Sequence, residues 1–90
     1  MGRITDIFKD NDNDRYKLIR AVLKSTNTPT QEKYLDKTGV LFPLGETLLF
    51  ITSDIHGFRT SNVVGLSYDE SMLRYEIETL NSVYCFQKVK

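Results

Sequence analysis

The second half of the chain alternates apolar and polar residues with the period of a β-strand. Four runs have this character, separated by short segments rich in Asp, Asn, Ser and Gly: residues 47–53, 58–68, 72–79 and 83–89. In the third run Leu73, Tyr75 and Ile77 alternate with charged residues, as in a strand with one buried face. Consecutive runs keep their apolar faces together when they pair antiparallel. The pattern therefore predicts a four-stranded antiparallel meander over residues 47–89.

Residues 15–24 (RYKLIRAVLK) fit either a helix or a strand. On a helical wheel Lys17, Arg20 and Lys24 fall on one side and the apolar residues on the other, whereas in a strand each face is mixed. The local pattern therefore favours a helix. In the alternative, residues 3–9 and 15–24 form a β-hairpin that is joined by the acidic loop DNDND at residues 10–14.

A helix start signal follows at residues 28–31, where TPTQ matches a capping box with Pro at the first helical position. It predicts a short helix over residues 29–37 that ends near Gly39. Together the elements predict a single, mainly β domain over residues 1–90. Its meander curls into a small barrel or sheet of the SH3-like or OB-like size class, completed by N-terminal segments with one or two short helices. The alternative is an α+β fold in which a helix at 15–24 packs on an open sheet.

Composition limits the classes of function. The chain has 90 residues with 12 Lys+Arg and 12 Asp+Glu, so a net charge of zero gives no general attraction to nucleic acid or to an anionic membrane. Cys85 is the lone cysteine and cannot form an intrachain disulfide, which fits a reducing compartment. No apolar run is long enough to span a bilayer, and the first ten residues carry charges where a signal peptide needs an apolar stretch. We expect a cytoplasmic protein with no membrane partner, metal or cofactor.

Polar residues gather near one end of the predicted meander. When the strands are paired by their apolar faces, the cluster consists of Arg59, Thr60, Asn62, Thr79, Asn81 and Ser82. Hydroxyls and amides in this arrangement are able to hydrogen-bond a small polar ligand, with Arg59 supplying a charge. The alternative is structural, because threonine is common in strands and Asn and Ser are common in turns.

Four cations form a second candidate surface: Arg15, Lys17, Arg20 and Lys24. No acidic residue occurs between positions 15 and 31, so these side chains are able to contact phosphates. Aromatic residues that would stack on bases are scarce beside them, and those of the meander are needed for its core. Nucleic-acid binding is therefore the weaker prediction, and a solvated face is the structural alternative.

No arrangement of residues predicts catalysis. His56 lies in a loop and has no Cys, Ser or further His at a spacing that would complete a catalytic or metal site. Cys85 lies within a strand, where the role of a small apolar residue is expected. The acidic run at residues 10–14 opens like a calcium loop, but Arg15 and Ala21 stand where that loop needs Gly and Glu. We expect no enzymatic activity.

The meander leaves apolar residues on the face opposite its predicted core: Leu49, Ile51, Val63, Val83, Cys85 and Val89. A chain of this length cannot easily cover both faces of such a sheet, so the surplus predicts a protein partner or self-association. We therefore expect a non-enzymatic binding module that docks on another protein as a regulator or inhibitor, in the manner of bacterial and phage accessory proteins. A homo-oligomer is one form of this prediction. The alternatives are a protein that binds or sequesters a nucleotide-like ligand and a nucleic-acid-binding small β-barrel.

Overall fold

The computed structural model describes residues 15–52 and 56–89. Within these ranges the chain forms seven antiparallel strands of one sheet and a single turn of 3-10 helix, Glu32–Tyr34. The strands are β1 (Arg15–Leu23), β2 (Thr38–Leu44), β3 (Thr47–Thr52), β4 (Gly57–Arg59), β5 (Val63–Asp69), β6 (Arg74–Thr79) and β7 (Ser82–Val89). Their order is β4-β3-β2-β1-β7-β6-β5, so β4 and β5 are the edges. The predicted segment 3–9, the acidic loop at residues 10–14 and residues 53–55 lie outside the described residues.

The structure corrects the predicted fold. The predicted helix over residues 15–24 is wrong, because Arg15–Leu23 form strand β1. The α+β alternative is therefore wrong as well, and the described residues contain no α-helix. The sheet has seven strands where the prediction had a four-stranded meander, and it is not closed into a barrel. The alternation of apolar and polar residues correctly identified a mainly β, antiparallel chain.

A β-bulge explains why residues 15–24 resemble a helix in sequence. On β7, Phe86 pairs with Leu18 and Cys85 pairs with Arg20, so Ile19 is an extra residue without its own partner. The extra residue reverses the alternation along the strand. Even-numbered residues face the core before the bulge and odd-numbered residues face it afterwards. Both faces of a regular strand would have been mixed, whereas the bulged strand keeps its cations on the outer face.

The capping-box sequence starts no α-helix, because its backbone groups bind β1. The N–H of Thr30 donates to the carbonyl of Ala21 (3.0 Å), and the N–H of Leu23 donates to the carbonyl of Thr28 (2.8 Å). Gln31 then adopts a left-handed conformation with φ 52°, and only the single 3-10 turn follows. Tertiary pairing therefore overrides the local helix signal.

An aromatic cluster joins the two halves of the sheet. β1 pairs with β7 along its whole length but with β2 only near its start, so the backbone link between the halves is short. Phe50 on β3 packs against Phe86 on β7 with ring centroids 5.1 Å apart, and Phe58 on β4 packs against Tyr84 on β7 at 5.3 Å. The half formed by β2–β4 therefore faces the half formed by β1 and β5–β7 across one core. Its buried apolar residues are Tyr16, Leu18, Ala21, Tyr34, Leu41, Leu48, Phe50, Phe58, Ile77, Tyr84 and Phe86.

The single strand predicted over residues 58–68 is in fact two strands on opposite edges of the sheet. Residues 60–62 alone connect edge strand β4 to edge strand β5, although a flat sheet of this size would be about 29 Å wide. The N–H of Val63 donates to the carbonyl of Glu46 (2.8 Å), which ties the start of β5 to the turn between β2 and β3. The sheet is therefore strongly coiled, and its two edges approach each other at this end.

A substitution at Gly39 tests this coiled geometry. Gly39 lies where β2 separates from β1 and continues its pairing with β3. A Cβ atom at Gly39 would overlap the backbone carbonyl oxygen of Ile51, which is held in the pairing of β2 with β3. We expect Gly39→Ala to lower the free energy of unfolding by at least about 2 kcal/mol in urea denaturation. In the control Gly65→Ala the new Cβ would meet the Glu78 side chain at 3.5 Å, an ordinary contact, and the loss should stay below about 1 kcal/mol. Equal losses in the two variants would contradict the assigned geometry.

Candidate functional site

The predicted polar cluster does assemble at one end of the sheet, with the exception of its charged member. Residues 60–62 meet the turn between β6 and β7. There the carbonyl of Asn62 accepts from the N–H of Leu80 (3.0 Å), and the hydroxyl of Ser61 accepts from the N–H of Asn81 at 3.4 Å. Asn62 and Asn81 are exposed. The backbone of residues 61–62 thus contacts the turn that carries Leu80 and Asn81.

The buried hydroxyls of this cluster bind the backbone of the chain itself. The Thr79 hydroxyl accepts from the N–H of Ser82 (3.0 Å) and donates to the carbonyl of the same residue (3.1 Å). The Thr60 hydroxyl accepts from the N–H of Leu48 (3.0 Å) and donates to the carbonyl of Ser61 (2.8 Å). Thr60, Thr79 and Ser82 are at most 4% exposed. The hydroxyls of Thr60 and Thr79 therefore use their hydrogen-bonding capacity inside the fold, as is usual for buried polar groups.

Arg59 lies on the opposite face of the sheet from Thr60. Phe58 and Thr60 are buried, and Arg59 between them is exposed. Arg59 is paired with Leu49 on β3, and its Nε donates to the Thr47 hydroxyl at 3.0 Å. The guanidinium group therefore borders the outer face of β3 and supplies no charge to the polar cluster.

The four cations predicted to contact nucleic acid lie on or next to the outer face of β1: Arg15, Lys17, Arg20 and Lys24. The first three share that face because of the bulge in β1. Lys24 forms an ion pair with Glu78, with Nζ 2.5 Å from Oε2. Glu76 on β6 occupies the same row across the sheet as Arg20, with Cys85 between them. Carboxylates of β6 thus accompany the cations, and the surface carries charges of both signs.

The outer side of β2 and β3 has a different character. We define the outer apolar face as the five apolar side chains that point away from the core on these strands: Val40, Phe42, Leu44, Leu49 and Ile51. Phe42 is 39% exposed and Leu44 is 47% exposed, and the other three are half-buried. Contiguous apolar side chains bordered by polar groups, here Arg59, are typical of protein interaction surfaces.

Sequence analysis identified Leu49 and Ile51 of this face and missed the three residues on β2. Those three were missed because residues 38–44 were not assigned to a strand. A sequence signal for this hairpin was present, since Gly45 stands between two apolar runs. In the structure it adopts a left-handed conformation with φ 64° in the turn from β2 to β3. A glycine between two apolar runs is a hairpin signal.

The other residues of the predicted surplus surface do not form one patch. Val63 packs against the core, so its predicted outward position is wrong. Val83 and Cys85 are half-buried on the outer side of β7. Val89 is 39% exposed and lies at the end of β7, opposite Arg15 at the start of β1.

Membrane-crossing helices and metal-holding clusters are absent from the part of the chain that the structure describes. None of its helical segments has the length and apolar character that crossing a bilayer requires. Within residues 15–52 and 56–89, no three His, Cys, Asp or Glu side chains are grouped so that they could hold a metal ion. The acidic run at residues 10–14 lies outside these ranges.

The structural role of the buried hydroxyls is testable at Thr79. We expect Thr79→Val to lower the free energy of unfolding by about 1–3 kcal/mol, because the buried N–H of Ser82 loses its acceptor. Urea denaturation measures the change, and the control is Thr26→Val, whose hydroxyl bonds only the exposed Thr28 hydroxyl. The control should change stability by less than about 0.5 kcal/mol. A Thr79→Val protein as stable as the parent would argue against this role.

Cys85 should behave as a poorly reactive thiol. Burial is the largest influence and raises the pKa of the Cys85 thiol, with Glu76 raising it further and Arg74 and Arg20 opposing the change. Only the thiolate reacts with iodoacetamide, so the folded protein should reach its half-maximal alkylation rate at a higher pH than the urea-unfolded chain. A half-maximal rate at the same or a lower pH would refute this expectation, whereas steric shielding alone would slow the reaction at every pH.

Comparison with known proteins assigns the chain to no family. No protein-family model matches it, and neither a curated protein nor a solved structure matches it. What the protein does must therefore be inferred from the surfaces described above.

Proposed function

We propose that this protein is a non-enzymatic binding module that docks on a protein partner through the outer apolar face. A small domain that covers part of a larger protein blocks or alters the surface beneath it. The proposal is therefore a regulator or inhibitor of the bacterial or phage accessory type. It acts in the cytoplasm, where the free Cys85 stays reduced.

The outer apolar face is the single observation that carries this proposal. Exposed strand residues of a solvated sheet are normally polar, because the alternation of side chains leaves the outer positions to water. On β2 and β3 every outer position from Val40 to Leu44 and from Leu49 to Ile51 is apolar. An aromatic and aliphatic centre with an arginine at its border has the composition of a binding hot spot.

The two alternative functions have less support. The polar-ligand alternative relied on the hydroxyls of Thr60 and Thr79, which bind backbone groups inside the fold. The nucleic-acid alternative relied on the cations of β1, which share their face with the carboxylates of Glu76 and Glu78. A mixed surface attracts a polyanion less than a uniformly positive one.

The proposal is tested by replacing the two most exposed residues of the face with serine. The bait Phe42→Ser/Leu44→Ser is compared with the parent protein in affinity purification from the cells that encode it. We expect a specific partner to be retained by the parent and lost from the variant, since truncating interface hot spots weakens binding by about tenfold or more. If the partner is a second copy of the chain, sedimentation over a range of protein concentrations should show a dimer of the parent protein that the variant does not form.

The matched control is Val64→Ser/Leu80→Ser, which removes apolar residues of similar exposure, 46% and 59%, outside the outer apolar face. Urea denaturation of all three proteins shows whether each variant is folded. A partner that the control retains and the face variant loses supports the proposal. A partner that both variants retain, or that both lose to the same extent, overturns it.

A further inference from the structure

A small cavity lined by cationic and polar groups lies where the 31–37 segment meets the end of β3. Its lining residues are Lys33, Tyr34, Lys37, Thr52 and His56, and its volume is about 270 Å³. This volume is just below the ~300–1,000 Å³ range of ordinary small-molecule sites. The cavity is separate from the outer apolar face and from the polar cluster, and neither of those surfaces explains it.

Buried and hydrogen-bonded residues hold the walls of this cavity in place. Tyr34 is 7% exposed and its hydroxyl donates to the carbonyl of Gly57 at 2.9 Å. Thr52 is 6% exposed, and both its hydroxyl (2.8 Å) and its N–H (2.7 Å) donate to the carbonyl of His56. The cationic side chains thus stand on a rigid base, as a preformed binding site requires.

The backbone that presents the two lysines is unusual. Gln31 precedes the turn with φ 52°, and Asp36 follows it with φ 64°. Left-handed conformations are uncommon for residues other than glycine, and such positions cluster at binding sites. Lys33 lies between these two positions and Lys37 directly follows the second. The Lys33 ammonium lies 5.2 Å from the centroid of the Tyr34 ring, and both lysines line the cavity.

Among the described residues that line the cavity, the two lysines carry positive charge and none carries negative charge. Within residues 15–52 and 56–89, no carboxylate lies within 4.0 Å of the ammonium of Lys33 or Lys37. Glu32 and Asp36 neighbour the lysines in sequence and are exposed, but neither lines the cavity. Lysine binds phosphate groups as a point charge, and two lysines beside a histidine suit a compact anion with several acceptor oxygens.

We propose that this cavity binds a small phosphate-class anion, either free phosphate or the phosphate group of a phosphomonoester. Lys33 and Lys37 supply the charge, and His56 supplies a ring N–H donor. The proposal is independent of docking through the outer apolar face, because it uses none of the same residues.

Binding is measured by titration of the full chain in a phosphate-free buffer of low ionic strength, with amide chemical shifts followed by NMR. The probes are inorganic phosphate, adenosine monophosphate and, as a monoanion for comparison, acetate. We expect saturable shifts at residues of the cavity with a Kd of about 1 mM or tighter for at least one phosphate probe. Tighter binding of adenosine monophosphate than of phosphate identifies a phosphomonoester, and the reverse identifies the free anion.

Three charge-matched variants decide whether the cavity is the site: Lys33→Gln, Lys37→Gln and the control Lys24→Gln. Lys24 directly follows the last residue of β1, about 20 Å along the strand from Leu18, whose backbone bonds to Asp36 and Lys37 beside the cavity. We expect each cavity variant to weaken binding at least about fivefold and the control less than about twofold. No saturation below about 50 mM phosphate, equal affinity for acetate, or equal weakening in all three variants overturns the proposal.

Discussion

The packing of Phe50 and Phe58 against Phe86 and Tyr84 is the interaction on which the rest of this fold depends. Backbone pairing alone would leave the two halves of the sheet joined at a short contact between β1 and β2. The aromatic rings bridge the halves at centroid distances of 5.1 and 5.3 Å. Each such pair contributes about 0.5–1.5 kcal/mol beyond the effect of burying its area. Because burial of the rings themselves adds more, side-chain packing and not strand pairing determines how the halves face each other.

This packing determines which surfaces remain for function. The inner faces of both halves form the core, and the buried hydroxyls of Thr60 and Thr79 hydrogen-bond to backbone groups at its edge. A binding surface must therefore lie on an outer face or at an open end of the coiled sheet. The outer apolar face occupies the first kind of position, and the cavity beside Tyr34 occupies the second. Since Tyr34 also packs on Phe58 at 5.2 Å, the base of the cavity is continuous with the core.

Much of the β character could be predicted from the sequence, because a one-sided strand such as β6 shows the period directly. The errors arose where a single residue or a tertiary contact changed the local pattern. Because of the extra residue Ile19, the sequence of β1 is mixed on both faces when it is read as a regular strand, and the local spacing resembles that of a short helix. The segment after Pro29 has a helix start signal that pairing with β1 overrides. Whether the hydroxyls of the predicted polar cluster face a ligand or the backbone depends on burial, which the alternation of residues does not show. The lysine cavity was missed because its members come from two segments distant in sequence, residues 31–37 and the end of β3, which meet only in the folded chain.

The two halves of the sheet differ in a way that folding alone does not require. On the half formed by β1 and β5–β7, outer positions carry charged residues of both signs, such as Arg20, Glu76 and Glu78. On the half formed by β2–β4, five neighbouring outer positions of β2 and β3 are apolar, and Thr47 lies beside them opposite Leu44. Both halves bury the same kind of inner face against one core, so the need for a core cannot explain the difference. Exposed apolar residues at these positions add little stability and favour aggregation. The proposed docking on a protein partner accounts for the more exposed apolar residues of the β2–β3 surface, Phe42 and Leu44.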